Sequence, residues 1–103
     1  MPTSNFDHQQ IDTFLHSRIR LAIIAVLATV DEIDFNTLKT QVNTSDGNLS
    51  VHLKKLEEAK YLSINRSIVS RKTLTVIKIT QTGLVALESY FTTVDQFLHG
   101  AKQ

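Results

Sequence analysis

Apolar residues recur at two different periods along this chain, and the period changes at Ala59 and again at Thr80. Between Asp7 and Leu15, Ile11, Phe14 and Leu15 fall at helical spacing and predict a short amphipathic helix. Ser17 can cap the next helix, "RIRLAIIAVLAT", whose nearly continuous apolar run predicts burial on most sides. Its isoleucines would also suit a strand, but the run length and alanines favour helix. "VDEIDF" reads as a turn with a very short strand around Ile33. Asp34 or Asn36 can start a third helix, "FNTLKTQV", with Phe35, Leu38 and Val42 three and four apart. Thr44 or Ser45 then caps a fourth, in which Leu49, Leu53 and Leu56 form one apolar stripe.

After Ala59 the period becomes two. "YLSIN" places Leu62 and Ile64 on one face, and "LTVIKI" forms a second β-branched run. The polar "RSIVSRKT" between them is expected to be the loop of a hairpin. Thr80 caps a last helix in which Leu84, Leu87, Tyr90, Phe91, Val94, Phe97 and Leu98 repeat at three and four. The order is helix, helix, short strand, helix, helix, hairpin, helix, an α+β chain rather than a parallel sheet.

At 103 residues the chain is expected to be one domain, residues 1–103. Composition, 42% hydrophobic and 20% charged, is that of an ordinary globular protein. Without cysteine there is no disulfide framework and no thiolate metal site. The longest apolar run, around Leu21–Ala28, falls short of the roughly 18 residues of a membrane span. The N-terminus lacks a basic segment followed by an apolar run, so a cytoplasmic protein with no membrane partner is expected.

The helix after Thr44 raises a question that solubility does not answer. With its leucines turned inward, helical steps of 100° turn Gly47, Asn48, Val51, Lys54 and Lys55 outward. A helix entering the DNA major groove needs small residues at its tip, where the backbone approaches closely. It needs an amide for base edges, a methyl group for thymine and lysines for phosphate. That face supplies each of these in order. The plainer alternative is a solvated surface, with Gly47 easing the turn and Asn48 capping.

Charge distribution favours the first reading. From Lys39 to Lys78 eight basic residues meet three acidic ones, a balance of +5, while the two flanks together carry −4. A basic middle between acidic flanks points to a polyanion on one face. Arg66, Arg71 and Lys72 lie on or beside the expected hairpin loop, where Arg71 suits a narrow, negative minor groove.

"HSRIRLAIIAVL", "DFNTLKTQVNTSDGNLSVHLKKLEEAKYL" and "ITQTGLVALE" resemble the winged-helix domain of small MarR- and ArsR-type transcription regulators. The resemblance covers about residues 14–97, and its most specific part is "SDGNLSVHLKKLEEA" followed by a hairpin and T-x-x-G. It implies a winged helix-turn-helix with a two- to three-stranded antiparallel wing and dimerisation helices at both ends. The helix-turn-helix would span about 35–59, the wing about 61–79 and the C-terminal helix about 80–99. It further implies a homodimer that reads double-stranded DNA with its recognition helix in the major groove and its wing on an adjacent groove or phosphates. Matched by position, Thr44, Ser45, Asn48, Ser50, Val51, His52, Lys54 and Lys55 fall on the recognition element, and Arg71 and Lys72 on the wing. In two places the chain departs from this pattern. Lys60 stands where glycine is usual after Glu57-Glu58-Ala59, at a cost of about 1 kcal/mol if it turns left-handed. The wing tip, "SIVS", has no glycine either.

The apolar excess of the terminal helices is expected to be buried across a two-fold axis, by Ile11, Phe14, Leu15, Tyr90, Phe91, Val94, Phe97 and Leu98. There is no catalytic triad context and no Gly-rich phosphate loop, so no enzyme activity and no cofactor are expected. Asp12 with His16, and Asp95 with His99, stand four apart but make weak metal candidates, and no metal site is assigned. Two other functions fit the same pattern. One is a winged-helix protein-interaction module without DNA, the other a ligand- or metal-responsive sensor. The sequence names no small-molecule effector.

Overall fold

The computed structural model describes residues 15–100. They form α1 (Arg18–Leu27), β1 (Ile33–Asp34), α2 (Phe35–Val42), α3 (Asp46–Glu58), β2 (Leu62–Val69), β3 (Lys72–Ile79) and α4 (Gln81–Gly100). The three strands make an antiparallel sheet in the order β1-β3-β2. Ile33 pairs with Ile77 and Leu62 with Ile79, which sets one face of the sheet against the helices. Ile23, Ile24 and Leu27 of α1, Leu38 of α2 and the three leucines of α3 fill the core with Leu62 and Ile77. The expected helix over Asp7–Leu15, with Ile11, Phe14 and Asp12, lies outside the described residues apart from Leu15.

Local chemistry sets the ends of the helices. Asp34 rather than Asn36 caps α2, accepting from the Thr37 amide at 3.4 Å. Ser45 rather than Thr44 caps α3, its Oγ accepting from the Asn48 amide at 3.2 Å. Ser17 sits at the N-cap of α1 in extended conformation, without a side-chain capping bond. Both α2 and α3 close with a left-handed residue that is not glycine, Asn43 at φ 60° and Lys60 at φ 67°. In each case two backbone amides fold back onto the last turn. At α3 the Lys60 amide donates to Glu57 O and the Tyr61 amide to Leu56 O. Asparagine tolerates this conformation; lysine bears its cost of about 1 kcal/mol.

The chain then ties the end of α3 to the start of α4. Thr80 Oγ1 donates to Lys60 O at 2.6 Å and accepts from the Gly83 amide at 3.1 Å, while the Thr80 amide donates to Tyr61 O at 3.1 Å. A Cβ on Gly83 would lie 2.1 Å from Tyr61 O, so only glycine lets the two backbones meet. The T-x-x-G motif is thus a clamp between the end of α3 and the start of α4.

Two expectations need correction. The segment expected to be the hairpin loop is mostly strand: pairing continues through Arg66↔Thr75, Ile68↔Thr73 and Val69↔Lys72. Only Ser70 and Arg71 make the turn, both left-handed at φ 51° and 68°. The β-branched Ile68 and Val69 favour extended backbone, and a two-residue hairpin turn that follows the strand twist needs positive φ at both positions. The second correction concerns α4. Leu15 and Tyr90, expected at a dimer seam, lie in the core of the protomer itself. The first half of α4 packs over α1, which turns Leu87 and Tyr90 inward, and the Tyr90 hydroxyl hydrogen-bonds His16 Nδ1 at 2.9 Å. Beyond Tyr90, Phe91 and Leu98 stand 52% and 63% exposed, and Val94 and Phe97 are half-buried. No helix of the described residues is long and apolar enough to cross a membrane.

Candidate nucleic-acid interface

α2 and α3 are joined by Asn43, Thr44 and Ser45, a three-residue turn held at both sides by the caps described above. Lys39 of α2 pairs with Asp46 in the first turn of α3 at 2.8 Å, which fixes the helices to each other and neutralises the one acid at the tip. Leu49, Leu53 and Leu56 are buried beneath, so the opposite face has a set orientation. Asn48, Val51, Lys54 and Lys55 are exposed on it, Val51 at 53%. Ser45 and Ser50 are exposed as well, and Thr44 is half-buried in the turn.

Gly47 stands out. It is helical, no glycine among the described residues has positive φ, and a Cβ there would have nothing within 4 Å. Neither the turn nor the packing asks for glycine, although glycine in a helix costs roughly 0.5–1 kcal/mol relative to alanine. What it leaves is bare backbone on the outer surface, next to Asn48 and Val51.

His52 departs from its expected place. It is half-buried, directed toward α1, and its Nδ1 accepts from Arg20 Nη1 at 3.2 Å. Burial comes first and the charges of Arg20 and Lys55 second in holding the imidazole below its usual range, so the neutral ring dominates. With Nδ1 accepting, the proton is on Nε2.

The wing hairpin stands beside α3. Between them runs a groove of about 420 Å³, with Ser50, Lys54 and Glu57 on the helix side and Ile64, Arg66 and Thr75 on the sheet. Arg71 occupies the tip of the hairpin and Lys72 opens β3, both exposed. Asp95 and His99 touch at 2.9 Å near the end of α4, each about two-thirds exposed.

The sequence profile of the family described as "Winged helix DNA-binding domain" matches residues 19–98, from α1 to nearly the end of α4. The chain belongs to that family. An uncharacterized protein of Methanocaldococcus jannaschii is 41% identical over 75 residues, covering 73% of this chain and 82% of that protein. The transcriptional regulator homologue of Pyrococcus horikoshii OT3 superposes with a TM-score of 0.85 at 20% identity, over 97% of this chain and 99% of that one. A mutant MarR from E. coli, solved with operator DNA, gives 0.62 at 19% identity, over 96% of this chain and 78% of that one. The architecture is therefore the winged-helix fold of MarR-family regulators.

Within this winged-helix domain two further basic residues have defined places. Arg66 lies in the groove against α3, and Arg20 reaches from α1 to His52. Arg20 had a visible signal, a charge inside the otherwise apolar run "IRLAII". Its partner, 32 positions away, had none.

Proposed function

We propose that this protein is a sequence-specific double-stranded DNA-binding transcriptional regulator that acts as a homodimer. α3 enters the major groove, and the hairpin lies on an adjacent groove or on phosphates. The observation that carries this reading is Gly47, a glycine that neither the fold nor the turn requires, at the tip of a helix whose exposed face continues with Asn48, Val51 and Lys55. Bare backbone permits close approach to base edges, and the basic middle of the chain supplies attraction to phosphate. That a structural neighbour, MarR, was solved with operator DNA agrees with it.

Asn48 offers donor and acceptor to an adenine edge and Val51 a contact for a thymine methyl, each worth roughly 1–3 kcal/mol of discrimination. Lys54, Lys55, Arg71 and Lys72 contribute mainly charge. The test is a paired titration at one salt concentration, with a duplex selected from genomic fragments and a scrambled duplex. Asn48→Ala should lose affinity for the selected duplex and keep the scrambled one, whereas Lys55→Ala should lose both. Equal weakening of the two duplexes by Asn48→Ala would remove the base-reading role and favour a protein-interaction module.

The homodimer rests on α4. Phe91 and Leu98 are more than half exposed on a helix whose earlier turns bury Leu87 and Tyr90, and a second copy is the simplest cover. Sedimentation at micromolar concentration should give about twice the 11.6 kDa chain mass, and Phe91→Asp should return it to one. A strict monomer for the unmodified chain would end the dimer proposal.

A further inference from the structure

The exposed large apolar residues among the described residues fall in three places: Val51 on α3, Val85, Phe91 and Leu98 on α4, and Ile68, Val69 and Leu74 near the end of the wing. The proposed dimer gives α4 a cover, and the proposed base reading gives Val51 a contact. The wing trio has neither. Strand alternation puts Ile68 on the face that carries Leu62 and Ile64. Val69 and Leu74 lie on the other face, across from Lys72 and Ser67. Leu62 is buried and Ile64 half-buried, but the core ends there, leaving Ile68 78%, Val69 52% and Leu74 39% exposed. The end of the hairpin is therefore apolar on both faces. A flat partner would cover one of them; covering both takes a cleft.

Charge around the tip indicates which cleft. Residues 62–79 contain Arg66, Arg71, Lys72 and Lys78 but no aspartate or glutamate. Arg71 and Lys72, at the tip itself, are exposed. An apolar tip flanked by cations alone fits a cleft with apolar walls and anionic rims. The minor groove of DNA is such a cleft: deoxyribose C–H groups line its walls, phosphates its rims, and its negative potential draws guanidinium groups.

We propose that the end of the wing is a wedge that enters the minor groove and kinks the duplex, with Ile68 and Val69 pressing on a base step and Arg71 and Lys72 on the phosphate rims. The wedge rests on the DNA-binding reading above and deepens it, since the wing then deforms the duplex as well as attracting it. The two-residue turn at Ser70 and Arg71 keeps the tip as thin as a hairpin allows. Even so, paired strands lie about 4.8 Å apart before side chains are added, and the minor groove is only about 6 Å wide. The tip enters only if the groove opens. Apolar side chains pushed against a base step open it by unstacking the step, which bends the axis away from the wing, toward the major groove. Pyrimidine–purine steps unstack most readily, so the wing senses the deformability of a step and reads no base edge.

The test uses the full chain and a duplex recovered from genomic fragments by the unmodified protein. Gel mobility of circularly permuted copies measures the bend, and anisotropy at several salt concentrations measures affinity. The unmodified protein should bend this duplex by roughly 20–90°. Ile68→Thr with Val69→Thr keeps the β-branching that suits a strand and removes apolar surface. This variant should lose most of the bend and several-fold in affinity, with the logarithmic salt slope unchanged because every cation remains. Ile68→Val should keep the bend. Thermal melts check folding; if the double variant is not folded, Ile68→Thr alone decides the matter. A bend lost together with part of the salt slope would mean that the whole hairpin had left the duplex, and overturns the wedge. A duplex left straight by the unmodified protein, or bent equally by the double variant, also overturns it and leaves the DNA-binding reading standing. Folded, unmodified protein that recovers no genomic fragment overturns that reading and the wedge with it.

Discussion

α3 and the wing hairpin depart from ordinary backbone preference in opposite ways. α3 has a glycine, Gly47, at a helical position that alanine would fill more stably. The wing has Ser70 and Arg71, both at positive φ, where glycine or asparagine would relieve strain of about 1 kcal/mol each. In the helix a side chain is withheld where a base edge would approach. In the wing a guanidinium is held at the tip despite the cost to the backbone. The two regions also differ in support. Buried leucines, the Ser45 cap and the Lys39–Asp46 pair fix α3, while the distal hairpin has no core beneath it and leaves Ile68 78% exposed. A supported surface can read geometry, and an unsupported one can add charge. Under the proposed function, base selection would accordingly belong to α3 and general attraction to the wing.

The largest effect should come from removing the support of one region and the exposed apolar residue of the other. Leu56→Ala should lower unfolding free energy by about 2–5 kcal/mol, and Ile68→Ser should stay within about 0.5 kcal/mol. Urea unfolding measures both, and equal losses would show that the distal wing is as well supported as the helix.

Next in size is the double change Arg71→Ala with Lys72→Ala. It should weaken random and selected duplexes alike and reduce the logarithmic salt slope by roughly one to two per protomer. An unchanged slope would take the wing off the DNA.

Smaller again are the backbone exchanges that reverse the two departures. Gly47→Ala should raise stability by about 0.5–1 kcal/mol and reduce duplex affinity. Ser70→Gly should give a similar gain with affinity unchanged, since it leaves Arg71 in place. Melting curves paired with duplex titration tell the two apart. Affinity untouched by Gly47→Ala would make the glycine at the tip irrelevant to DNA.

The smallest concerns Asp34, the cap that begins α2. Its hydrogen bond with Thr37 holds the carboxyl below its ordinary 3.8. A lowered carboxylate stabilises the fold above its unfolded value and loses that contribution as pH falls through the folded one. The gap in melting temperature between the unmodified chain and Asp34→Ala should therefore be present at pH 7 and close near pH 2. A gap that persists in acid would mean that Asp34 acts through packing.

Much of this was legible along the chain. The leucine stripe of α3, the cap at Thr80 and the outward set of Asn48, Val51, Lys54 and Lys55 all follow from interactions within about four residues. The left-handed turn at Lys60 could be expected because the chain has to leave α3 there whatever residue occupies the position. Tertiary structure decided the rest. Whether Tyr90 or Phe91 faced inward depended on where α4 meets α1, and consecutive helical residues point about 100° apart. The positive φ of Ser70 and Arg71 came from the cross-strand register, which local composition had read as a longer loop. Gly83 was a motif letter until Tyr61 O was seen to fill the space its side chain would need. Arg20 met His52 only once α1 had packed on α3. Periodicity and capping are short-range and can be read from the sequence; a contact between residues 32 apart exists only after the core between them has closed.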